Sequence, residues 1–267
     1  MQQAQRERLG RIRWLRVLMA ENGVRWTAYA TLLAGLRRSV GAVEGRMARL
    51  ESRLGLTGRT ARAVNYEYWQ QWDWSHQGEE WTPSDDWKQS LIDEVMLRYL
   101  KPNTTILEIG PGAGRWTEAL QRFASRLILV DLSDRCIELC RRRFAQAQNI
   151  EYHVNDGRSL PAIESGCVDG VWSFDVFVHI APADVEAYVA EISRVLRPGG
   201  RAVINHAKGG REDGASDVGQ RSNMTVADFA RMIGAHGLTL VEQFDSWGAD
   251  DRHRVTTKWD TVSVIEK

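Results

Sequence analysis

The chain has 267 residues, of which 43% are apolar and 26% charged, so it has enough apolar material for a packed core and too little charge bias for disorder. Its 35 basic and 35 acidic side chains give a formal charge of zero, which argues against nonspecific nucleic-acid binding by the whole chain. No uncharged apolar run approaches the roughly 18–20 residues of a spanning helix, and Arg16 interrupts the only N-terminal apolar stretch. We therefore expect neither a membrane span nor an export signal.

The cysteine content also bounds the class of protein. Cys136, Cys140 and Cys167 form no metal-ligand spacing with the six histidines, and three cysteines cannot build a disulfide framework for a chain of this length. These observations predict a cytoplasmic protein without a metal site.

Residues 1–62 form a basic arm, because they hold thirteen arginines, no lysine and only four acids, which gives a net charge of +9. Its apolar residues recur at alternating steps of three and four, with Asn22 as the polar member of the series. The series is Ile12, Leu15, Met19, Trp26, Tyr29, Leu33, Leu36, Val40, Val43, Met47, Leu50 and Leu54. This spacing predicts a helical arm with one apolar stripe, as in a coiled coil.

The partner of that stripe stays open at the level of sequence. One interpretation is a homo-oligomer joined through residues 12–54, the second is helices folded back on their own chain, and the third is a basic face on a membrane surface. Gly23, Gly35, Gly41 and Gly45, which lie within residues 12–54, count against a regular coil, since each costs about 1 kcal/mol relative to alanine in a helix.

Residues 63–83 form an aromatic-rich segment that we interpret either as a cover over the core of the next domain or as a lid that contacts substrate. It contains Tyr66, Tyr68, Trp69, Trp72, Trp74 and Trp81. Ser84 then predicts the start of a helix, whose apolar face would comprise Trp87, Leu91, Val95 and Leu100.

From residue 104 onward, short apolar runs alternate with amphipathic helical stretches, predicted near residues 114–124, 133–145 and 182–196. Five strands are expected within TTILEIG, RLILVDL, IEYHVND, VDGVWSFD and RAVINHA, followed by a helix from Thr225 and two final strands in LTLVEQFDSW and TVSVIEK. Because parallel strands need crossover connections, this alternation predicts an α/β fold with a doubly wound, mostly parallel, seven-stranded Rossmann-like sheet. The expected organisation is therefore an arm at 1–62, the aromatic-rich segment at 63–83 and a catalytic domain at 84–267.

The strongest functional motif is ILEIGPGAGRW, in which a strand carries Glu108 and is followed by Gly110, Gly112 and Gly114. Glycines permit a sharp turn and let a ligand approach the backbone, while the helix that follows offers free N–H groups. Asp131 ends the next strand, 21 positions after Gly110, where a carboxylate can accept hydrogen bonds from ribose hydroxyls. A nicotinamide enzyme would usually space its glycines GxGxxG, whereas this loop reads GxGxG.

The order LEIGPGAG, VDLS, NDGRSL, VDGVWSFDVFVHI and EISRVLRPGG resembles the class I S-adenosylmethionine-dependent methyltransferases over about residues 84–267. The resemblance implies that Glu108 and the three glycines frame the methionine part of S-adenosylmethionine and that Asp131 holds the ribose. It further implies a cofactor role for Leu132, places Asn155, Asp156 and Gly157 beside the adenine amino group, and gives backbone contacts to Ser173 and Phe174.

Transfer of a methyl group from a sulfonium needs alignment of the acceptor and, for a hydroxyl acceptor, removal of a proton. His179 and His206 follow or end the fourth and fifth strands, at the edge where open parallel sheets bind ligands, and both are candidate bases. Asp175 is the third catalytic candidate. The glycine-rich loop after the fifth strand could add Arg211, Arg221 or Ser222 to the same edge.

The residues and the resemblance together predict a methyltransferase that O-methylates a sugar, a glycan or another small polar metabolite. An N- or C-methyltransferase of a natural product is the alternative within the enzyme class. A catalytically inactive cofactor-binding scaffold is the alternative outside it, and a nicotinamide dehydrogenase is the third hypothesis.

Overall fold

The computed structural model describes residues 2–54, 57–209 and 221–267, and these residues form two compact units. The first unit is residues 2–54, and the second is residues 57–209 with residues 221–267. Residues 57–62, which the sequence analysis assigned to the arm, therefore lie in the second unit.

The first unit is helix α1, which spans Gln2–Leu54. Gly23 has φ 81° and ψ 162°, which are not helical values, so it divides α1 into two helical stretches. Glycine adopts a positive φ without steric cost, and this explains why the interruption falls there. The expected helical conformation is confirmed, but the apolar series is not carried by one unbroken helix.

The second unit contains a seven-stranded sheet of order β3-β2-β1-β4-β5-β9-β6. The strands are β1 (Thr105–Ile109), β2 (Arg126–Asp131), β3 (Ile150–Val154), β4 (Val168–Ser173), β5 (Leu196–Ala207), β6 (Thr239–Phe244) and β9 (Asp260–Glu266). Strands β1 to β5 run parallel, and β9 is antiparallel to both β5 and β6. The predicted doubly wound, mostly parallel seven-stranded sheet is confirmed.

Helices cover both faces of this sheet, as parallel connections require. They are α3 (Asp85–Ser90), α4 (Leu97–Tyr99), α5 (Thr117–Phe123), α6 (Asp134–Arg143), α7 (Pro182–Val195) and α8 (Val226–Ala235). Each face has its own apolar cluster, one centred on α7 and α8 and the other on α3, α5 and α6. Among the described residues, no helix is both long and apolar enough to cross a membrane.

Several helix starts follow local capping chemistry. Ser84 accepts a hydrogen bond from the Trp87 N–H at 3.1 Å, as the sequence predicts, and Thr225 forms a capping box with Asp228. The predicted helix after Ser84 is not regular, because residues Leu91–Met96 form a π-helical turn between α3 and α4. Helix α5 begins at Thr117 rather than near 114, since the turn of the glycine loop extends that far.

The predicted strand LTLVEQFDSW ends early, at Phe244. Residues Ser246–Trp247 (β7) instead pair with His253–Arg254 (β8) in a separate two-stranded sheet. This departure brings the Trp247 indole against Trp87, at a ring-centroid distance of 5.6 Å, and lets Trp247 Nε1 donate to Ser90 Oγ. Burial of a large ring with a satisfied N–H accounts for the broken strand.

The aromatic-rich segment precedes the sheet as a series of short helical turns. It comprises 3₁₀ turns at Gly58–Thr60, Trp74–His76 and Glu79–Trp81, together with helix α2 (Arg62–Gln71). Helix α2 lies against α6, where Tyr66 and Gln70 both donate hydrogen bonds to the Asp134 carboxylate. The segment is therefore part of the packed second unit.

Candidate active site

The glycine loop begins where β1 ends, and two of its glycines are required by space and by backbone conformation. Gly110 has φ +73°, and a Cβ there would lie 2.4 Å from Val176 Cγ2. Gly112 has φ +57°, and its Cβ would lie 2.9 Å from the Trp74 ring. A side chain at either position would push these neighbours apart, so the glycines keep the loop in close contact with the strand-β4 edge and with the aromatic-rich segment.

Asp131 ends β2 beside this loop. Its Oδ2 accepts a hydrogen bond from the Gly112 N–H at 3.2 Å, and its Oδ1 accepts one from the Ser133 N–H at 2.8 Å. Burial raises the pKa of Asp131 to about 6. Each carboxylate oxygen has two acceptor sites, so the group retains capacity to accept ribose hydroxyls.

A cavity of about 200 Å³ lies between the glycine loop, the ends of β2 and β4, and the aromatic-rich segment. Six of the cofactor residues implied by the resemblance line it, namely Gly110, Gly112, Asp131, Leu132, Gly157 and Phe174. The structure thus brings together residues that are up to 64 positions apart in the chain.

Five other implied cofactor residues are not among the described residues that line the cavity, because each is engaged elsewhere. The Glu108 carboxylate accepts a hydrogen bond from Thr117 Oγ1 at 2.6 Å, and burial raises its pKa to about 8. A Cβ on Gly114 would press on Phe144. Ser173 Oγ donates to the Ile109 carbonyl at 2.9 Å. Asn155 and Asp156 bond within their own loop and to neighbouring side chains.

Aromatic side chains form the wall opposite the glycine loop. Trp69, Trp72, Trp74 and Trp81 pack against one another at ring-centroid distances of 5.3–6.0 Å, and Trp69 also meets the His179 ring edge-on at 5.3 Å. All five rings line the cavity. The cover and lid interpretations therefore converge, since the same rings cover the glycine loop and face the cavity.

His179 is the candidate base that the structure places at the cavity. It ends a 3₁₀ turn, Phe177–His179, directly after β4, and its carbonyl accepts a hydrogen bond from Asn65 Nδ2 at 2.9 Å. A contact from α2 thus holds the backbone of this histidine against the aromatic-rich segment.

His206 is placed elsewhere, and this corrects the expectation that it reaches the ligand edge. Its ring is fully buried, lies 4.0 Å from the Phe229 ring and shares hydrogen bonds with the Ala207 carbonyl and Ser263 Oγ. Burial lowers the pKa of His206 to about 4, so the imidazole is neutral at physiological pH. Side chains alternate along a strand, and the neighbouring Asn205, not His206, points towards the β4 end, where it accepts from the Asp175 N–H.

Asp175 lies at the cavity in a left-handed backbone conformation, with φ 60°. Its carboxylate forms an ion pair with Arg115 at 2.5 Å, and both side chains are largely buried. A non-glycine residue at positive φ is strained, and such strain is found where the surrounding structure fixes a functional geometry.

Sequence reasoning missed Arg115 and Trp116, which directly follow the glycine loop and line the cavity. Both are at least 95% buried, and neither Arg115 Nη1 nor Trp116 Nε1 has a hydrogen-bond partner within the described part of the chain. The Arg115 guanidinium lies 4.7 Å from the Trp116 ring centroid. Two buried donors side by side suit a carboxylate, such as the one on the methionine part of the cofactor. Their position directly before α5 could have indicated this role, because the backbone N–H groups at the start of a helix often contact ligands.

The loop after β5 is described only in part. Arg211 lies outside the described residues. Arg221 lines the cavity and pairs with Asp260 at 3.1 Å, whereas Ser222 is buried and its N–H donates to the Val178 carbonyl. Of the two loop residues that the structure describes, Arg221 lines the cavity and Ser222 does not.

Comparison with known proteins identifies the class. Residues 107–204 match the family model described as a methyltransferase domain. The fold resembles a SAM-dependent methyltransferase from Aquifex aeolicus, with a TM-score of 0.54 and 15% identity over 73% of this chain and 98% of that one. A TehB-like SAM-dependent methyltransferase from Corynebacterium glutamicum gives a TM-score of 0.53 and 23% identity over 72% and 94%. Residues 107–204 therefore match a methyltransferase domain, and the second unit has a fold shared with solved SAM-dependent methyltransferases.

Two curated proteins show similarity over part of the chain. A ubiquinone biosynthesis O-methyltransferase from Xanthomonas campestris pv. campestris is 26% identical over 115 residues, which cover 43% of this chain and 47% of that protein. An uncharacterised 37.1 kDa protein of a Streptomyces fradiae transposon is 33% identical over 121 residues, which cover 44% and 33%. The chain thus matches less than half the length of each of these relatives.

The residues that line the cavity fit S-adenosylmethionine, the cofactor that the resemblance implies. Asp131 offers acceptor oxygens for ribose hydroxyls, the positive-φ glycines leave room along the loop, and Arg115 and Trp116 present buried donors with no described partner. These features match the diol and carboxylate groups of the cofactor.

Proposed function

We propose that this protein transfers the methyl group of S-adenosylmethionine to a hydroxyl of a sugar, a glycan or another small polar metabolite. The observation that supports it most is that Asp131, the glycine loop, His179 and the aromatic wall all line one cavity. When bound, the cofactor supplies an activated methyl group on a sulfonium.

The residues of the chain then have distinct tasks. The aromatic-rich segment covers the glycine loop, which excludes water from that side of the cavity. His179 accepts the proton of the acceptor hydroxyl, because its ring lines the cavity and an imidazole nitrogen can take up a proton. The ion pair with Arg115 holds the Asp175 carboxylate at the end of β4, where the carboxylate can accept a hydrogen bond from a second hydroxyl of the acceptor.

The charge and shape of the cavity support a polar, uncharged acceptor. Among the described residues, three arginines line it, Arg62, Arg115 and Arg221, and each is paired with a carboxylate. Trp72 and Trp81 stack at 5.3 Å and 28°, and indole faces of this kind suit the C–H faces of a sugar ring. The similarity to an O-methyltransferase of ubiquinone biosynthesis further favours oxygen as the accepting atom.

The test is a donor assay with S-adenosylmethionine labelled on its methyl group, run against panels of sugars, phenols, amines and carbon acids. We expect label to enter at least one hydroxyl compound, and to fall by about 10² to 10⁴ with His179→Ala. Label in amines or carbon acids alone would identify an N- or C-methyltransferase. Cofactor binding with no transfer to any acceptor would support the inactive scaffold.

We also propose that α1 joins the protein to a second copy of itself. Along α1, nine apolar side chains of the spaced series are between 41% and 73% exposed, and Val24 and Leu32, which lie outside the series, are also exposed. The nine are Trp26, Tyr29, Leu33, Leu36, Val40, Val43, Met47, Leu50 and Leu54. A stripe of this length at heptad spacing is typical of helices that pack against an identical partner. The free thiols of Cys136, Cys140 and Cys167 suit the proposed cytoplasmic location.

A further inference from the structure

Asn65 is a buried polar residue of the cavity that none of the steps above uses. It lies on α2, is 6% exposed and lines the cavity. Its Nδ2 donates to the carbonyls of His179 at 2.9 Å and Thr60 at 3.3 Å. Its Oδ1 has no hydrogen-bond partner among the described residues.

An acceptor buried without a partner is costly, and such atoms in folded proteins usually meet a ligand or water. Because both Asn65 donor bonds go to carbonyls, the amide is oriented with Oδ1 as its remaining acceptor. A ligand group that satisfies it must be an N–H or O–H donor. The cofactor offers such donors in its adenine 6-amino group, its ribose hydroxyls and its α-ammonium group, and the acceptor offers a hydroxyl.

The position of α2 favours adenine. Arg62, one turn before Asn65, donates to the Asp156 carbonyl at 3.2 Å, and its Cδ would lie 3.4 Å from a Cβ on Gly157. Residues 155–157 are those that the resemblance places beside the adenine amino group. Helix α2 therefore starts at the adenine end of the cavity, and Asn65 follows within the same helical face.

The acceptors expected for that amino group are engaged elsewhere. Asp156 Oδ1 accepts from the N–H groups of Arg158 and Ser159 and from Ser159 Oγ. Its Oδ2 lies 3.5 Å from Arg158 Nε and 3.9 Å from Arg62 Nη1, and Asp156 is not among the described residues lining the cavity. Asn155 Oδ1 accepts from the Gly157 N–H at 3.1 Å. Residues 155–157 thus offer the adenine amino group no side-chain acceptor that faces the cavity.

From these contacts we infer that Asn65 Oδ1 accepts a hydrogen bond from the adenine 6-amino group, so that α2, outside the sheet, selects the base of the cofactor. The same side chain holds the His179 carbonyl. Asn65 therefore couples adenine recognition to the position of the proposed base. The inference rests on the cofactor and not on the identity of the acceptor.

The experiment is calorimetric binding to the full-length protein of S-adenosylhomocysteine and of S-inosylhomocysteine, in which a carbonyl replaces the 6-amino group. The wild type should bind the adenosyl compound about 10- to 100-fold more tightly, since the inosyl carbonyl would face the Asn65 carbonyl. Asn65→Ala should lose about tenfold in affinity for the adenosyl compound and discriminate less than about threefold between the two. Gln71→Ala, on an exposed position of the same helix, is the matched control and should behave as wild type.

The comparison of the two ligands on the wild type needs no variant, so it can overturn the inference even if Asn65→Ala does not fold. Equal affinity of the wild type for the two compounds would overturn the inference. So would an Asn65→Ala variant that keeps the full discrimination, because Asn65 would then have a structural role only. Unchanged S-adenosylhomocysteine affinity with a raised KM for the acceptor would assign Oδ1 to an acceptor hydroxyl and also overturn the adenine assignment. The two binding outcomes do not depend on whether methyl transfer occurs.

Discussion

The Gly112 N–H donates a hydrogen bond to Asp131 Oδ2 at 3.2 Å, which ties the glycine loop after β1 to the carboxyl end of β2. Both residues also line the cavity. The bond places the loop and the Asp131 carboxylate in one fixed arrangement before any ligand binds, which would lower the ordering cost of cofactor binding.

Replacement of Asp131 by alanine should weaken S-adenosylhomocysteine binding by about 1–3 kcal/mol, because the ribose hydroxyls lose a charged acceptor. Burial raises the pKa of Asp131 to about 6, so wild-type affinity should decrease as the pH falls through that value and the carboxylate is protonated. Calorimetry between pH 5 and pH 8 measures both effects. Asp93→Ala, at an exposed site on another helical turn, is the control. An affinity that is independent of Asp131 and of pH would contradict the assignment.

Gly112→Val should abolish cofactor binding, because the new side chain would meet the Trp74 ring at 2.9 Å and the backbone has φ +57°. Gly166→Val is a matched control, since Gly166 also has a positive φ, +63°, but no heavy atom lies within 4 Å of its Cβ position. Both variants carry similar backbone strain, and Gly112→Val alone obstructs the cavity. Similar S-adenosylhomocysteine affinities for the two variants would show that strain, not obstruction, determines the effect.

Alanine variants of His179 and His206 should differ in their effects on turnover and on the free energy of unfolding. His179→Ala should lower turnover by about 10² to 10⁴ with little change in S-adenosylhomocysteine affinity, because proton removal affects the transition state and not cofactor binding. His206→Ala should instead lower the free energy of unfolding, because it leaves a cavity beside Phe229 and removes one of the two side-chain partners of Ser263 Oγ. Turnover per folded molecule should survive in His206→Ala. The reverse pattern would contradict the site as described.

Glu108 gives a prediction about pH and stability. Burial raises its pKa from 4.5 to about 8, so folding favours the protonated acid. This contribution to stability is fully present below pH 4.5 and is lost as the pH rises through 8. Glu108→Gln mimics the neutral acid. Its free energy of unfolding should therefore decrease less between pH 5 and pH 9 than that of the wild type, and the difference should be on the order of a few kcal/mol. Urea unfolding across that range measures it, and parallel profiles for the two proteins would show that Glu108 does not titrate there.

Residues 57–267 contain the sheet and the aromatic-rich segment. This fragment should fold, bind S-adenosylhomocysteine and have a lower oligomeric order than the full chain, because the exposed apolar stripe of α1 is absent from it. Light scattering on the two proteins gives their subunit numbers. Equal numbers would leave the stripe to intrachain packing or to a membrane surface, and vesicle flotation of the full chain would then distinguish these two.

The parts of the site that the sequence predicts are local. Gly110, Gly112 and Asp131 follow strands whose apolar runs are unmistakable, and parallel strands bring their carboxyl ends to one edge of the sheet. The sequence does not tell which of His179 and His206 reaches the cavity. In a strand covered on both sides, the face to which a side chain points depends on the register of the strand.

The contribution of the aromatic-rich segment was harder to predict. The hydrogen bond from Asn65 to the His179 carbonyl joins residues 114 positions apart, and no local pattern marks it. The same applies to Arg115, whose partner Asp175 is 60 positions away. Such contacts come from the packing of α2 and the glycine loop on the sheet, which a one-dimensional pattern does not encode.

The most direct test of the account is equilibrium binding of S-adenosylhomocysteine to the full-length protein, followed by calorimetry, with a reduced nicotinamide dinucleotide as the comparison ligand. The cavity described here predicts one S-adenosylhomocysteine site per chain, loss of that binding in Gly112→Val, and no measurable binding of the nicotinamide compound. Absence of S-adenosylhomocysteine binding by the wild type, or binding that Gly112→Val leaves intact, would contradict the claim that this cavity holds the cofactor.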